Sequence, residues 1–265
     1  MIVPHAADGV GTISVADVSL VYPSRRATVQ ALQGISLKAG QGEFVSVVGP
    51  SGCGKSTLLK IIAGLLMPTT GSVMVDGAPV RGPGGNVGIV FQSPLLMAWR
   101  TVLQNVLLQV EIRGLRVSDY RERALQLLDL VGLKGFEHSY PHELSGGMQQ
   151  RVGLCRALIH DPPLLMMDEP FGALDAMTRE QMNVELQRVW LQSRKTVLFI
   201  THSISEAIFL GDRVVVMSPR PGRLLADIAV DFERPRALDG LIGTSRFAEL
   251  SRQIRGHLNA ASAVE

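Results

Sequence analysis

Gly49-Pro50-Ser51-Gly52-Cys53-Gly54-Lys55-Ser56 follows the apolar run Phe44–Val48 and precedes Thr57-Leu58-Leu59-Lys60-Ile61-Ile62. An apolar strand, a glycine-rich turn and a helix, in that order, are the context a phosphate-binding loop requires. Glycines let consecutive backbone N–H groups curl around a phosphate chain, and the helix N-terminus adds its partial positive charge. Lys55 is placed to reach the β- and γ-phosphates, and the Ser56 hydroxyl to ligate Mg²⁺. These residues imply a nucleoside triphosphate as ligand.

A second stretch, Pro162-Pro163-Leu164-Leu165-Met166-Met167-Asp168-Glu169, is a short apolar run ending in two acids. It reads as a buried parallel strand delivering carboxylates at its C-terminal edge, where ligands of open α/β sheets sit. Asp168 suits Mg²⁺, directly or through water, and Glu169 suits accepting a proton from an attacking water. Between the two stretches lies Leu144-Ser145-Gly146-Gly147-Met148-Gln149-Gln150-Arg151. Ser145 is a good N-cap, and Gly146 and Gly147 leave the next helix start bare for an anion. With this Leu-Ser-Gly-Gly sequence the chain resembles the nucleotide-binding subunits of ABC transporters, whose signature it is.

The resemblance covers nearly the whole chain. It implies a nucleotide site made of the loop residues Gly49, Pro50, Ser51, Gly52, Cys53, Gly54, Lys55 and Ser56 together with Thr57. Tyr22 matches the aromatic residue that stacks on adenine, although strand packing also accounts for a tyrosine there. Gln92, at the end of Val87-Gly88-Ile89-Val90-Phe91-Gln92, matches the glutamine that meets Mg²⁺ and the attacking water. Asp175 of Ala173-Leu174-Asp175 matches the loop that crosses a dimer interface. His202, after Thr196-Val197-Leu198-Phe199-Ile200-Thr201, matches the switch histidine of the γ-phosphate. The implied catalytic residues are therefore Glu169, His202 and Gln92, and the implied Mg²⁺ ligands Ser56, Gln92 and Asp168. Ser145, Gly146 and Gly147 face the ATP of a partner subunit in this family, so a homodimer is implied.

The resemblance predicts an α/β fold: a P-loop NTPase core with an N-terminal antiparallel β subdomain and an inserted helical subdomain. Patterning agrees. Strand-like segments at 12–21, 29–37, 44–48 and 71–76 are separated by polar or glycine-rich turns. From about 93 to 161 the pattern is helical, most clearly at 118–131, with Ser118 as cap and Gly132 as stop. Pro68 is read as ending the helix after the phosphate loop. The expected division is an ATPase domain over 12–232 and a C-terminal helical extension over 233–265. In the extension Phe247, Leu250, Ile254 and Leu258 recur at helical spacing, with Arg246, Arg252 and Arg255 largely on other faces. That pattern reads as a helix docking on the core, with a membrane-surface role for the arginines as the other reading.

Composition sets limits. The 265 residues, 46% hydrophobic and 5% aromatic, suffice for one large α/β domain. A net charge of +2 gives no reason to expect nucleic-acid binding. The first Lys or Arg is Arg25, so no basic leader region is expected, and no apolar run approaches about 18 residues. The expected location is the cytoplasmic face of the bacterial inner membrane, held there through membrane permease subunits. Two cysteines fit a reducing compartment.

Within the family, repair ATPases insert long coiled coils before the signature, whereas the stretch from Gln92 to Ser145 shows no sustained heptads. Translation-type members carry two cassettes in one chain. An importer ATPase remains, working with a permease and, indirectly, a solute-binding protein. Gln92-Ser93-Pro94-Leu95-Leu96-Met97-Ala98-Trp99-Arg100-Thr101-Val102 and Met217-Ser218-Pro219-Arg220-Pro221-Gly222-Arg223 look like the nitrate, sulfonate and taurine importer group. Relatives of that group also import pyrimidine precursors. Two residues have two readings each. Trp99 either anchors the permease at an exposed groove or packs inside the helical subdomain. Cys53, beside Lys55 and a helix N-terminus, is either a reactive thiolate shielded by nucleotide or a thiol turned into the core. Cys155, among Val152, Leu154 and Leu158, is expected to be buried and inert.

Overall fold

A computed structural model describes residues 12–23, 28–84 and 86–262; Arg25 and the end of the C-terminal extension (263–265) lie outside them. In chain order the first elements are β1 (Ile13–Tyr22), β2 (Val29–Ala39), β3 (Phe44–Val48), α1 (Lys55–Ile62), β4 (Thr70–Val75), β5 (Ala78–Pro79) and β6 (Val87–Val90). The helices α2 (Val102–Ile112), α3 (Val117–Leu130) and α4 (Gly146–Leu158) follow. Strand and helix then alternate through β7 (Leu164–Asp168), α5 (Ala176–Ser193), β8 (Thr196–Ile200), α6 (Ile204–Leu210) and β9 (Arg213–Met217). The last elements are β10 (Leu224–Ala229), α7 (Leu238–Ile242) and α8 (Ser245–Ser262).

The central sheet has the order β10-β9-β3-β8-β7-β6, parallel throughout except for β10, which pairs antiparallel on the edge. Its strands are short apolar runs because both faces are covered, the usual condition of a parallel sheet. Successive side chains divide between the two faces with the period of a strand. Phe44 and Val48, Leu165 and Met167, Val197 and Phe199, Val214 and Val216 join the core under α2 to α6 and α8. Val45 and Val47, Leu164 and Met166, Leu198 and Ile200, Val215 and Met217 join the core with α1 and a second sheet. That second sheet is antiparallel, β2-β1-β4-β5.

Two sequence expectations change. The helix after the phosphate loop ends at Ile62, not at Pro68. The Gly64 N–H bonds the Ile61 carbonyl at 3.0 Å and the Leu65 N–H the Lys60 carbonyl at 2.8 Å, with Gly64 at φ 71. This is a Schellman stop, and it acts four residues before the proline. Ser118 does not cap α3, which starts one residue earlier with Arg116 at the cap position. The Ser118 hydroxyl turns instead to Asp119 Oδ1, 3.1 Å away.

The C-terminal helix docks as its spacing predicts. Phe247, Leu250 and Ile254 are buried, and Leu258 packs against the same core. Arg246 pairs with Asp231 and Glu249, while Arg252 and Arg255 are exposed.

Candidate functional site

The C-terminal ends of β3, β7 and β8 bring the phosphate loop, Asp168, Glu169 and His202 to one edge of the sheet. Gly54 precedes α1 at φ 106 with no side chain over the helix start, so the first N–H groups stay open. A Cβ there would stand 2.6 Å from Leu32 Cδ2 and 3.0 Å from the Ala31 carbonyl, so the close approach of β2 requires glycine. Lys55 opens the helix. Its buried ammonium donates to the carbonyls of Gly49 (2.9 Å) and Pro50 (3.0 Å), and Glu169 Oε1 lies 3.7 Å away.

Next in the helix, Ser56 Oγ donates to Asp168 Oδ1 at 2.9 Å. Burial raises the Asp168 pKa, and the Ser56 hydrogen bond works against that shift. A hydroxyl and a carboxylate at this distance are two hard oxygen donors. They suit Mg²⁺, which takes one or two protein oxygens and completes its shell with substrate phosphates and water.

Glu169 has φ 44, a left-handed backbone uncommon for a glutamate. Its N–H bonds the Ile200 carbonyl of β8 at 2.9 Å, and its Oε2 lies 3.4 Å from His202 Nδ1. Gly172 follows three residues on. A Cβ there would stand 3.6 Å from Gln92 Nε2 and 3.7 Å from Glu169 Oε2, so both side chains border this glycine. Strain held at such a position is common where a side chain must be aimed for chemistry.

A cavity of about 410 Å³ lies over the loop, walled by Ser51, Gly52, Gly54, Lys55, Ser56 and Thr57, with Tyr22, Gln92, Glu169 and Arg220 among the rest. The Tyr22 hydroxyl is 3.4 Å from Thr57 Oγ1, and the ring is 39% exposed, so it is not consumed by strand packing. Gly49, Pro50 and Cys53 lie outside the cavity wall. Asp168 sits beneath Ser56, and His202 stands behind Glu169.

Ser145, Gly146, Gly147 and Asp175 are not at this cavity. Each glycine and acid nevertheless has a clear local setting. Ser145 Oγ accepts the Met148 N–H at 3.3 Å and caps α4. Nothing stands within 4 Å of a Cβ on Gly146, whereas one on Gly147 would come within 2.8 Å of Thr178 Cγ2. Asp175 caps α5 through the Thr178 N–H at 3.0 Å, and that N–H holds its pKa below the ordinary value.

The structure decides against a reactive Cys53. Its side chain is 1% exposed, under the loop, and a Cβ on Gly49 would lie 2.8 Å from its Sγ. Burial raises its pKa, and the Lys55 charge only partly offsets this. Cys155 is fully buried, and burial pushes its thiol up too. Maleimide is therefore expected to label neither cysteine in the folded protein, with or without Mg·ATP, and to label both in denaturant. Rapid labelling of Cys53 in the native protein would contradict its position.

Three residues at the site escaped the sequence. Arg220 enters the cavity wall from the β9–β10 turn. Glu206 is buried, accepts the Thr201 hydroxyl just before His202, and lies 3.8 Å from Arg179. Arg179 donates to the carbonyls of Phe171 and Leu174, so one ion pair links the His202 and Asp175 loops. Only Glu206 carried a signal, as an acid in the first turn of a helix.

Residues 32–172 match the family model described as ABC transporter. An uncharacterized ABC transporter ATP-binding protein of Methanocaldococcus jannaschii is 49% identical over 224 residues, 84% of each chain. The taurine import ATP-binding protein TauB of Burkholderia pseudomallei is 51% identical over 217 residues, 82% of this chain and 84% of that one. Among solved structures, the dimeric post-hydrolysis state of the ATP-binding cassette MJ0796 bound to ADP and Pi has a TM-score of 0.74 at 32% identity. It covers 83% of this chain and all of that one. Matched by the family model through both carboxylates of the site and by relatives along more than four-fifths of its length, the chain belongs to the ABC transporter family.

Proposed function

We propose that this chain is the ATP-hydrolysing subunit of an importer for taurine or a related small anion, a sulfonate or nitrate. The observation that carries the chemistry is the convergence of Lys55, Ser56, Asp168 and Glu169 within hydrogen-bond or ion-pair reach of one another at the sheet edge. The likeness to taurine import ATP-binding proteins supports the solute class.

In this reading the triphosphate lies in the cavity with its adenine on Tyr22. The loop N–H groups and Lys55 hold the β- and γ-phosphates, Lys55 exchanging the Gly49 and Pro50 carbonyls for phosphate oxygens. Mg²⁺, held by Ser56, Asp168 and Gln92, would supply charge neutralisation on the phosphate oxygens. Glu169 takes a proton from water as the water oxygen bonds to the γ-phosphorus and the bond to the ADP oxygen breaks. His202 donates to the γ-phosphate and is steadied by Glu169. Ser145, Gly146 and Gly147, remote from this cavity, would serve the site of a second copy across a dimer interface that Asp175 lines. The dimeric MJ0796 cassettes support that arrangement.

The subunit would sit on the cytoplasmic face of the membrane through a permease. Among the described residues no helix is long and apolar enough to cross a membrane. A groove of about 390 Å³ between core and helical insert is walled by Leu65, Phe91, Met97, Leu108 and Ile112. Trp99, two residues beyond Met97, is 74% exposed, so packing inside the insert does not occupy it. Such an aromatic is a suitable anchor for a permease helix.

Deleting the gene is expected to abolish growth on taurine or alkanesulfonate as sole sulfur source, or on nitrate as sole nitrogen source, while sparing growth on sulfate and ammonium. A Trp99→Ala copy should fail to restore growth and to co-purify with the permease, yet bind ATP normally. Full growth of the deletion strain on all three solutes would sink the solute reading. An intact complex with Trp99→Ala would remove the anchor.

A further inference from the structure

Arg220 was read above only as part of a stretch typical of the importer group, with no role at the nucleotide site, yet it faces the phosphate loop across 168 positions of sequence. It lies on the turn Ser218-Pro219-Arg220-Pro221-Gly222-Arg223 between β9 and β10. Its Nε and Nη2 donate to the Gly52 carbonyl at 3.3 and 3.1 Å, and its side chain walls the cavity with Ser51, Gly52 and Lys55. The turn is seated firmly. The Gly222 N–H bonds the Ala31 carbonyl and the Gln33 N–H bonds the Gly222 carbonyl, each at 2.9 Å. A Cβ on Gly222 would stand 2.1 Å from the Cys53 carbonyl, so the turn and the loop are in backbone contact. Arg223 grips Gln33 Oε1 at 2.6 Å on the side away from the cavity wall.

This placement has two consequences. The Gly52 carbonyl and the Cys53 N–H share one rigid peptide plane and point in opposite directions. A guanidinium on the carbonyl fixes that plane, with the Cys53 N–H turned to the opposite side. The Cys53 N–H has only a long 3.4 Å hydrogen bond to the Pro50 carbonyl, one that an anion can readily replace. Among the described residues the guanidinium bonds no acceptor other than the Gly52 carbonyl, which leaves donors for the cavity. A guanidinium is always charged and suits phosphate oxygens geometrically.

We propose that Arg220 is a second basic residue of the nucleotide site, holding the phosphate loop by the Gly52 carbonyl and donating its remaining N–H groups to the polyphosphate. This rests on the nucleotide reading of the cavity. The test is a titration of fluorescent ATP and ADP analogues, with Mg²⁺, into full-length Arg220→Ala, Arg220→Lys, Arg223→Ala and Lys55→Ala proteins. Melting temperatures are measured without nucleotide. Arg220→Ala should raise Kd about tenfold, as expected for loss of one charge-assisted hydrogen bond. Arg220→Lys should fall between Ala and wild type, since it keeps the charge without the fork. Arg223→Ala, on the same turn but outside the cavity wall, should bind as wild type, and the nucleotide-free melting temperatures should agree. An unchanged Kd in Arg220→Ala, while Lys55→Ala loses binding, overturns the proposal and leaves the site reading intact. Equal weakening by Arg223→Ala, or weakening that follows a lowered melting temperature, also overturns it, since the fold of the turn would then be responsible. If the wild-type protein itself binds neither analogue, the nucleotide reading fails, an outcome distinct from a loss confined to the variants.

Discussion

Glu169→Gln is expected to bind Mg·ATP at least as tightly as the wild type and to hydrolyse it at least about a hundredfold more slowly, the range in which positioned general bases act. The amide keeps the size of the carboxylate and its reach toward His202, which lies 3.4 Å from Glu169 Oε2. The left-handed backbone at φ 44, fixed by the N–H bond to Ile200, is as tolerable for glutamine as for glutamate. What disappears is the oxygen that, in the proposed role, accepts the water's proton. A negative charge 3.7 Å from the Lys55 ammonium disappears with it, which favours rather than opposes an anionic ligand. ATP then persists in the site, and gel filtration in Mg·ATP should show a dimer that the wild type forms only briefly. Phosphate release near the wild-type rate would remove Glu169 as the base.

How far the site could be read from sequence depends on where each partner comes from. The phosphate loop and the Asp168-Glu169 strand were legible because their chemistry and their secondary structure are encoded in the same few residues. The central strands were legible because burial on both faces leaves unbroken apolar runs, as in Phe44–Val48. Docking of α8 followed from the spacing of Phe247, Leu250, Ile254 and Leu258. Cys53 was ambiguous because its neighbours in sequence, Lys55 and a helix start, argue for a thiolate. Its neighbours in space, packed beneath Gly49 and Met217, argue for a thiol, and burial prevails. Arg220 was invisible as a site residue because only the sheet order, with β9 beside β3, carries its turn to the loop. The end of α1 was misplaced because proline is a conspicuous breaker, while Gly64 stops the helix earlier by closing its last carbonyls.

Lys55→Ala should produce the opposite phenotype to Glu169→Gln, with nucleotide binding itself lost. Its side chain is 6% exposed, and its ammonium is already desolvated between two loop carbonyls and Glu169. An ion so placed has little left to give up when a phosphate replaces the carbonyls, and each charge-assisted bond to phosphate is worth roughly 1.5–3 kcal/mol. Removing it costs those bonds and leaves the Gly49 and Pro50 carbonyls, with the Glu169 carboxylate, facing the phosphates unopposed. A rise in Kd of at least about a hundredfold follows from two such bonds. The fold should survive, since alanine is the best helix former for the first turn of α1 and the pocket it opens faces solvent-accessible space. Titration with a fluorescent ATP analogue, alongside a melting curve, separates the two effects. A folded Lys55→Ala protein that still binds ATP with wild-type affinity would mean that the loop holds its phosphate by backbone alone.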